Sequence, residues 1–266
     1  MVLPPGPTRS PGTGARGTLY LVPNTLDLGT PDQATELQEC VPLGVIRTAA
    51  RLTHWVAESA KSTRAFLKRV HAVVPLTTPL QSVVITELPR PQKGMPQTAT
   101  APLAPLLNAA LQGHDMGLIS DAGLPAVADP GAALVQAAHE IGVRVVALPG
   151  ASSLLLAVAA SGLNGQSFAF VGYLPVEAAE RATRIRELEA LSRRKSQTQL
   201  MIETPYRNEA LLAALLAHLQ PATRLAVSCG LTLRNGFSRT DTVSAWKAKP
   251  SRLPTDVPAV FCLLSA

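Results

Sequence analysis

One segment, residues 117–131, most constrains what this chain can fold into. It reads Gly-Leu-Ile-Ser-Asp-Ala-Gly-Leu-Pro-Ala-Val-Ala-Asp-Pro-Gly and is followed by an apolar run. This order predicts a buried strand, a tight turn and a helix. Residues 148–153 repeat the glycine-containing turn between a strand and a helix. Open α/β sheets bind ligands at such corners, so two of them favour an enzyme with a cofactor cleft.

Strand-like and helix-like runs alternate along the chain. Strands are predicted over residues 18–23, 54–57, 116–119, 143–148, 167–173, 199–203, 224–230 and 259–264. Helices are predicted over residues 33–38, 59–70, 103–112, 132–141, 153–161, 177–191 and 208–219. This alternation predicts an α/β fold with mainly parallel sheets. We place a disordered arm at residues 1–16, α/β domains at 17–148 and 149–266, and an irregular, proline-rich segment at 71–100.

Composition narrows the class of protein. With 266 residues, 47% of them hydrophobic and 16% charged, the chain can bury a large core and is unlike a disordered chain. Its net charge of +6 favours acidic partners such as nucleic acid or phosphates. Three cysteines without CxxC spacing indicate reduced thiols and a cytoplasmic protein. No run reaches the roughly 18 apolar residues of a membrane span, so we expect no membrane partner.

Several motifs in the chain do not fit their usual functions. The GxGxxG pattern at residues 12–17 precedes the first predicted strand, whereas a dinucleotide site needs it after one. Leu154 stands where the second glycine of GxSxG would be, which argues against a serine hydrolase. The histidines lack metal-ligand spacing, so no metal site is predicted. Residues 181–195 are rich in arginine but interspersed with glutamate, which favours a solvated helix over an RNA-binding face.

Three corners carry candidate site residues, each with a structural alternative. Asp121 is suited to accept hydrogen bonds from a ligand, while Asp129 would cap the helix that starts at Gly131. Ser152 or Ser153 would either cap the next helix or leave its amides for an anion. Residues 58–64 combine acidic and basic side chains, which fits either helix pairing or a substrate and acid–base role.

Residues 119–131 closely resemble the S-D-A-G-x-P-x-x-x-D-P-G signature of the tetrapyrrole methylase superfamily. The branch most similar to the chain 2′-O-methylates a cytidine ribose in bacterial small-subunit rRNA. Further similar segments follow in the same order, within roughly residues 17–235, at 17–23, 58–64, 148–152, 161–163, 170–175 and 203–207.

The resemblance implies two α/β domains with S-adenosylmethionine in the cleft between them, and usually a homodimer. It implies cofactor contacts at Pro23, Asp121, Ala122, Gly123, Val127, Ser152, Ser153, Thr204 and Pro258. The family's E-D-T-R-x-T-R segment implies substrate contacts at Lys61, Thr63 and Arg64. A ribose hydroxyl also needs a proton acceptor, and Glu58 is the candidate.

The chain departs from the rRNA enzymes mainly in the substrate half. Ser59 and Ala60 stand where those enzymes have Asp and Thr, and Lys61 replaces their Arg. Only Glu87 remains of their H-N-E motif. The better preserved cofactor half therefore indicates a divergent subfamily, in which another acceptor would also fit.

These observations favour an S-adenosylmethionine-dependent methyltransferase whose acceptor is RNA, in particular rRNA. A tetrapyrrole acceptor is less favoured, because those enzymes typically carry G-D-P where this chain has residues 121–123. One alternative is a module that holds the cofactor or RNA without turnover, and it is motivated by the altered 58–64 segment. Another is a nicotinamide oxidoreductase, which rests only on the misplaced glycine motif.

Overall fold

The computed structural model describes residues 16–27, 35–89 and 103–265, which form two compact units. The first unit comprises Leu43–Pro149 with the segment that ends at Pro23, and the second comprises Gly150–Ala266 with Asn24–Pro42. Three predicted features lie wholly or partly outside the described residues. They are the N-terminal arm except for Arg16, the part of the GxGxxG pattern before Arg16, and part of the proline-rich segment.

The described residues contain ten strands and nine α-helices. The strands are β1 Thr18–Leu21, β2 His54–Ala57, β3 Val84–Glu87, β4 Met116–Ile119, β5 Arg144–Ala147, β6 Phe168–Phe170, β7 Thr198–Glu203, β8 Arg224–Cys229, β9 Phe237–Thr242 and β10 Ala259–Leu264. The helices are α1 Leu37–Cys40, α2 Leu43–Arg51, α3 Ala60–Val73, α4 Asn108–Leu111, α5 Ala132–Glu140, α6 Ser153–Ser161, α7 Ala178–Lys195, α8 Asn208–His218 and α9 Val243–Ala248. Short 3-10 helices cover Leu80–Ser82, Ala104–Leu107 and Pro205–Arg207.

The first unit is built on a five-stranded sheet in the order β3-β2-β4-β1-β5, with every strand pair parallel. All four residues of β4 are buried, as befits a central strand covered on both faces. Leu19, Val56, Leu118 and Leu134 are fully buried in the core beside it. The prediction of a parallel α/β fold is confirmed for this unit.

The second unit departs from the expected parallel arrangement. Its sheet runs β6-β7-β10-β8-β9, and only the β6–β7 pair is parallel. The C-terminal strand β10 inserts antiparallel between β7 and β8, which alternation of strands and helices along the chain does not reveal. Its core is centred on Met201, Leu215, Trp246 and Phe261, all fully buried.

Two edge strands and two helices escaped the sequence prediction. β3 lies in the segment expected to be irregular, and β9 reads Phe-Ser-Arg-Thr-Asp-Thr. Edge strands are exposed on more sides, so they need no continuous apolar run and leave a weak pattern. The mixed segment after residue 42 is helix α2, and α9 follows β9 directly.

Gly117 provides a test of the first unit's packing. A Cβ there would lie 2.4 Å from the ring of buried Trp55, whereas one at Gly44 would meet nothing within 4 Å. We expect Gly117→Ala to destabilise the protein by about 1–3 kcal/mol through overpacking. Gly44→Ala, on the surface of α2, should leave stability unchanged or slightly higher. Equal urea midpoints for the two variants would contradict this packing.

Candidate functional site

Four neighbouring strands of the first sheet end at one edge. β2 is parallel to both β3 and β4, and the amide of Glu58 donates to the carbonyl of Ile119 at 3.1 Å beyond the β2–β4 pair. Similarly, Val22 donates to Leu118 at 2.8 Å beyond β1. Parallel pairing therefore brings the ends of the four strands together, with Pro23 following β1.

Carboxylates join these strand ends to the start of α3. Glu58 Oε2 accepts a hydrogen bond from the backbone amide of Asp121 at 3.1 Å. The Ser62 hydroxyl donates to the Asp121 carboxylate. Glu87 Oε1 accepts from the amide of Ala60 at 2.7 Å, satisfying a first-turn donor of α3. The turn after β4 and the N-terminus of α3 thus form one hydrogen-bonded corner.

The turn of residues 120–131, named here the signature turn, has a strained backbone. Gly123 and Gly131 have φ of 65° and 131°, and Ala126 and Ala128 have φ of 67° and 65°. For alanine this left-handed region is sparsely populated, at a cost of order 1–3 kcal/mol each. Such strain persists only where surrounding structure enforces it, and it concentrates at functional sites.

Asp129 lies in the signature turn with an unusual pKa. Burial raises the pKa of this carboxyl to about 6, and the negative charges of Glu58 and Asp121 add to the effect, against a hydrogen bond from Ser120 that lowers it. The expectation that Asp129 caps the following helix is wrong, because Gly131 occupies the N-cap of α5 and makes no side-chain cap. The turn directs Asp129 towards Ser120 instead.

The implied substrate residues differ in accessibility. Lys61 and Arg64 are exposed on α3, close to the corner. Thr63 is buried, and its hydroxyl donates to the carbonyl of Ser59 at 2.8 Å, which stabilises the first turn of α3. Val127 in the signature turn is 45% exposed, so a ligand could reach its side chain.

In the second unit, the implied cofactor residues lie at strand and helix ends. Ser152 occupies the N-cap of α6, but its hydroxyl makes no cap hydrogen bond. Thr204 follows β7, and its amide and hydroxyl donate to Glu203 at 2.8 and 3.2 Å. Because Ala259 in β10 lies opposite Glu203, Pro258 and Thr204 are neighbours at one edge of the sheet. Ser153 is the first residue of α6.

The positions of Ser62 and Asp129 at this corner are not predicted by the sequence pattern. Ser62 stands at the variable position of the E-D-T-R-x-T-R pattern, so only the parallel pairing of β2 with β4 brings it to Asp121. Within residues 16–27, 35–89 and 103–265, no three His, Cys, Asp or Glu side chains are grouped to hold a metal ion. Over the same described ranges, no helix has the length and apolar character needed to span a membrane.

The family model for tetrapyrrole (corrin/porphyrin) methylases matches residues 43–245. Among curated proteins, "Ribosomal RNA small subunit methyltransferase I" of Mesorhizobium japonicum is 42% identical over 142 residues, which are 53% of this chain and 47% of that protein. The Bacillus subtilis protein of the same name is 41% identical over 120 residues, covering 45% of this chain and 39% of that protein. The matches thus span less than half the length of these relatives.

Two solved structures share the fold. The uroporphyrin-III-C-methyltransferase of Thermus thermophilus is 20% identical, with a TM-score of 0.50 over 94% of this chain and 93% of that one. The cobalamin-synthesis-related protein CobF of Corynebacterium diphtheriae is 15% identical, with a TM-score of 0.57 over 94% and 99% of the two chains. At these identities the likeness concerns the fold alone.

The raised pKa of Asp129 predicts a pH-dependent stability. The folded-state pKa of about 6 exceeds the ordinary aspartate pKa of 3.8, so protonation of this carboxyl favours the folded state. The stability that the protonated Asp129 carboxyl contributes is fully present below pH 4 and is lost as pH rises through about 6. Asp129→Asn should therefore be more stable than the parent at pH 8, by about 1 kcal/mol after allowance for solvent screening, and similar at pH 4.

Urea unfolding at the two pH values measures this difference. The control is Asp256→Asn, which removes an exposed carboxylate of the second unit. This variant should leave the free energy of unfolding unchanged at both pH 4 and pH 8. If Asp129→Asn and Asp256→Asn behaved alike at pH 8, the charge of Asp129 would not oppose folding.

Proposed function

The chain belongs to the tetrapyrrole methylase family, and from this membership we propose that it transfers a methyl group from S-adenosylmethionine to a ribose 2′-hydroxyl of small-subunit ribosomal RNA. The observation that carries the proposal is the signature turn, strained and built from small residues, at the carboxyl edge of a parallel sheet. The names of the curated relatives support rRNA as the acceptor.

The signature turn suits close approach by S-adenosylmethionine. Gly123 has a left-handed conformation and no Cβ, and Ala122 beside it has a small side chain, while Asp121, Val127 and Pro23 complete the proposed contacts of the first unit. In the second unit, the proposed contacts are Ser152, Ser153, Thr204 and Pro258. The N-terminus of α6, which lacks a side-chain cap, suits a carboxylate. The cofactor supplies an electrophilic methyl group on a sulfonium.

The residues of the corner would position the acceptor and take up its proton. Holding the hydroxyl in line with the methyl group can lower the barrier by several kcal/mol without a covalent intermediate. We assign Glu58 as proton acceptor, since its carboxylate is oriented by the amide of Asp121. The negative charge of Glu58 raises the pKa of Asp129, which favours the neutral form of the Asp129 carboxyl beside the proposed proton acceptor.

A tetrapyrrole acceptor is the second candidate, favoured by the family to which the chain belongs. Against it, residues 121–123 read Asp-Ala-Gly where tetrapyrrole enzymes typically carry G-D-P. A module that binds the cofactor or RNA without turnover is the third candidate. It would bind S-adenosylmethionine but methylate neither class of acceptor.

We also propose a homodimer and a cytoplasmic location. The edge strand β6 exposes Phe168 and Phe170 by 39% and 37%, and Tyr173 and Val176 beyond it by 56% and 73%. Exposed apolar residues grouped in this way are typical of an interaction surface. Among the described residues, Cys40, Cys229 and Cys262 are free thiols, which suits a reducing compartment.

Methyl transfer from labelled S-adenosylmethionine tests the proposed reaction. We expect label in small-subunit rRNA, recovered as a 2′-O-methylated nucleoside after digestion, and none in a uroporphyrin-type tetrapyrrole. Glu58→Gln, which can still accept from Asp121, should lower kcat about 10²–10⁴-fold while leaving cofactor affinity intact. Label in the tetrapyrrole alone would replace the RNA acceptor, and an unchanged kcat would remove Glu58 as base.

A second experiment tests where the cofactor binds. Gly123→Val places a β-branched side chain at φ 65° in the signature turn, and calorimetry should show loss of S-adenosylmethionine binding. The matched control is Gly162→Val, which imposes similar strain at φ 62° after α6, where a Cβ meets nothing within 4 Å. Retained affinity in a folded Gly123→Val protein would refute this placement.

A further inference from the structure

One part of the first unit has a strong excess of basic residues. Between residues 43 and 86 the only acidic residue is Glu58, against the basic residues Arg47, Arg51, Lys61, Arg64, Lys68 and Arg69. The whole chain has a net charge of only +6. Helices α2 and α3 therefore carry a clear excess of positive charge, and a surface of this kind attracts polyanions.

Part of this charge forms a stripe along α3, which we name the α3 stripe: Lys61, Arg64, Lys68 and His71. Their spacing places them on one face of the helix, and all four are exposed. The opposite face, with Phe66, Leu67 and Val70, is buried. Over the described part of the chain, no carboxylate forms an ion pair with Lys61, Arg64 or Lys68. These cations are thus available to an external anion.

The stripe leads from the site corner to an open cleft. The cleft has a volume of about 470 Å³ and is lined by Lys68, His71, Leu76, Thr77, Thr78, Pro79, Leu80 and Gln81. This volume is in the ~300–1,000 Å³ range of small-ligand sites. His71 Nδ1 accepts from the amide of Leu76 at 3.2 Å, so the hydrogen of a neutral ring lies on Nε2. The lining thus combines an ammonium, a ring N–H, hydroxyls and an amide with the apolar side chains of Leu76, Pro79 and Leu80.

We propose that the α3 stripe and this cleft bind the sugar–phosphate backbone of a single-stranded RNA segment next to the methylated nucleotide. A single row of cations can bind the successive phosphates of one RNA strand. The cleft has room for one unstacked nucleotide, and the nucleotides of a duplex are stacked. The proposal rests on the proposed function, since it extends the RNA site from Glu58 along α3. From Lys61 to His71 the stripe spans about 15 Å.

The distal half of the stripe should act on binding and not on chemistry. Lys68 lies two turns along α3 from Lys61, roughly 10 Å from it, and away from the proposed proton acceptor. Lys68→Gln should therefore raise KM for RNA several-fold, with kcat and the affinity for S-adenosylmethionine unchanged. Because a phosphate contact is independent of sequence, the loss should be equal for RNAs of different sequence.

Fluorescence anisotropy with a labelled 12-nucleotide single-stranded RNA, read across a KCl series, tests the proposal. For Lys68→Gln we expect a several-fold higher Kd, and a slope of log K against log salt reduced by about 0.7–1. The matched control is Lys195→Gln, which removes one exposed cation from the end of α7 and should leave Kd and slope unchanged. A duplex of the same length should bind less tightly than the single strand.

Each contrary result has a separate meaning. Equal effects of Lys68→Gln and Lys195→Gln on RNA that the parent still methylates would overturn the α3 stripe and leave the proposed function standing. Tighter binding of the duplex, or binding of inorganic phosphate at Lys68 without an effect on RNA, would overturn the single-strand assignment. If the parent bound S-adenosylmethionine but neither bound nor methylated RNA, the RNA acceptor would fail together with the stripe.

Discussion

The hydrogen bond from the Asp121 amide to the Glu58 carboxylate is the interaction on which the rest of the corner depends. It joins the ends of the neighbouring strands β2 and β4, and Ser62 adds a second link from α3 to the Asp121 side chain. A hydrogen bond to a charged group contributes about 1.5–3 kcal/mol. This is similar to the cost of holding Ala126 or Ala128 at positive φ, so these links can offset much of the strain in the signature turn.

The electrostatics of the first unit separate two regions. The strand ends hold four carboxyl groups, those of Glu58, Glu87, Asp121 and Asp129, while α3 carries exposed cations beside them. In the proposed function, the separation of the carboxyl groups from the cations would orient the RNA. Phosphates would be attracted to α3 and repelled from the carboxylates, so the uncharged ribose hydroxyl would be the part of RNA that reaches Glu58.

The sequence predicts those elements of the fold whose position is determined by a local pattern of apolar and turn residues. Strands β2 and β4 are identified by their apolar runs and the signature turn by its glycine and proline residues, and the family resemblance indicates the function of the turn. β3 and β9 lie at sheet edges with few apolar residues, so their local pattern is weak. The antiparallel insertion of β10 depends on pairing with strands that are distant in the sequence. The link from Ser62 to Asp121 also depends on strand order, because the two residues are 59 positions apart.

Hydrogen exchange with and without S-adenosylmethionine tests the central claim most directly, which is that the signature turn holds the cofactor. Peptides can be resolved across residues 116–140 and, for comparison, across the basic end of α7. We predict slower exchange of amides in residues 120–131 when the cofactor is bound, with the exchange of α7 amides unchanged. Cofactor binding that left the exchange of residues 120–131 unaltered would contradict it.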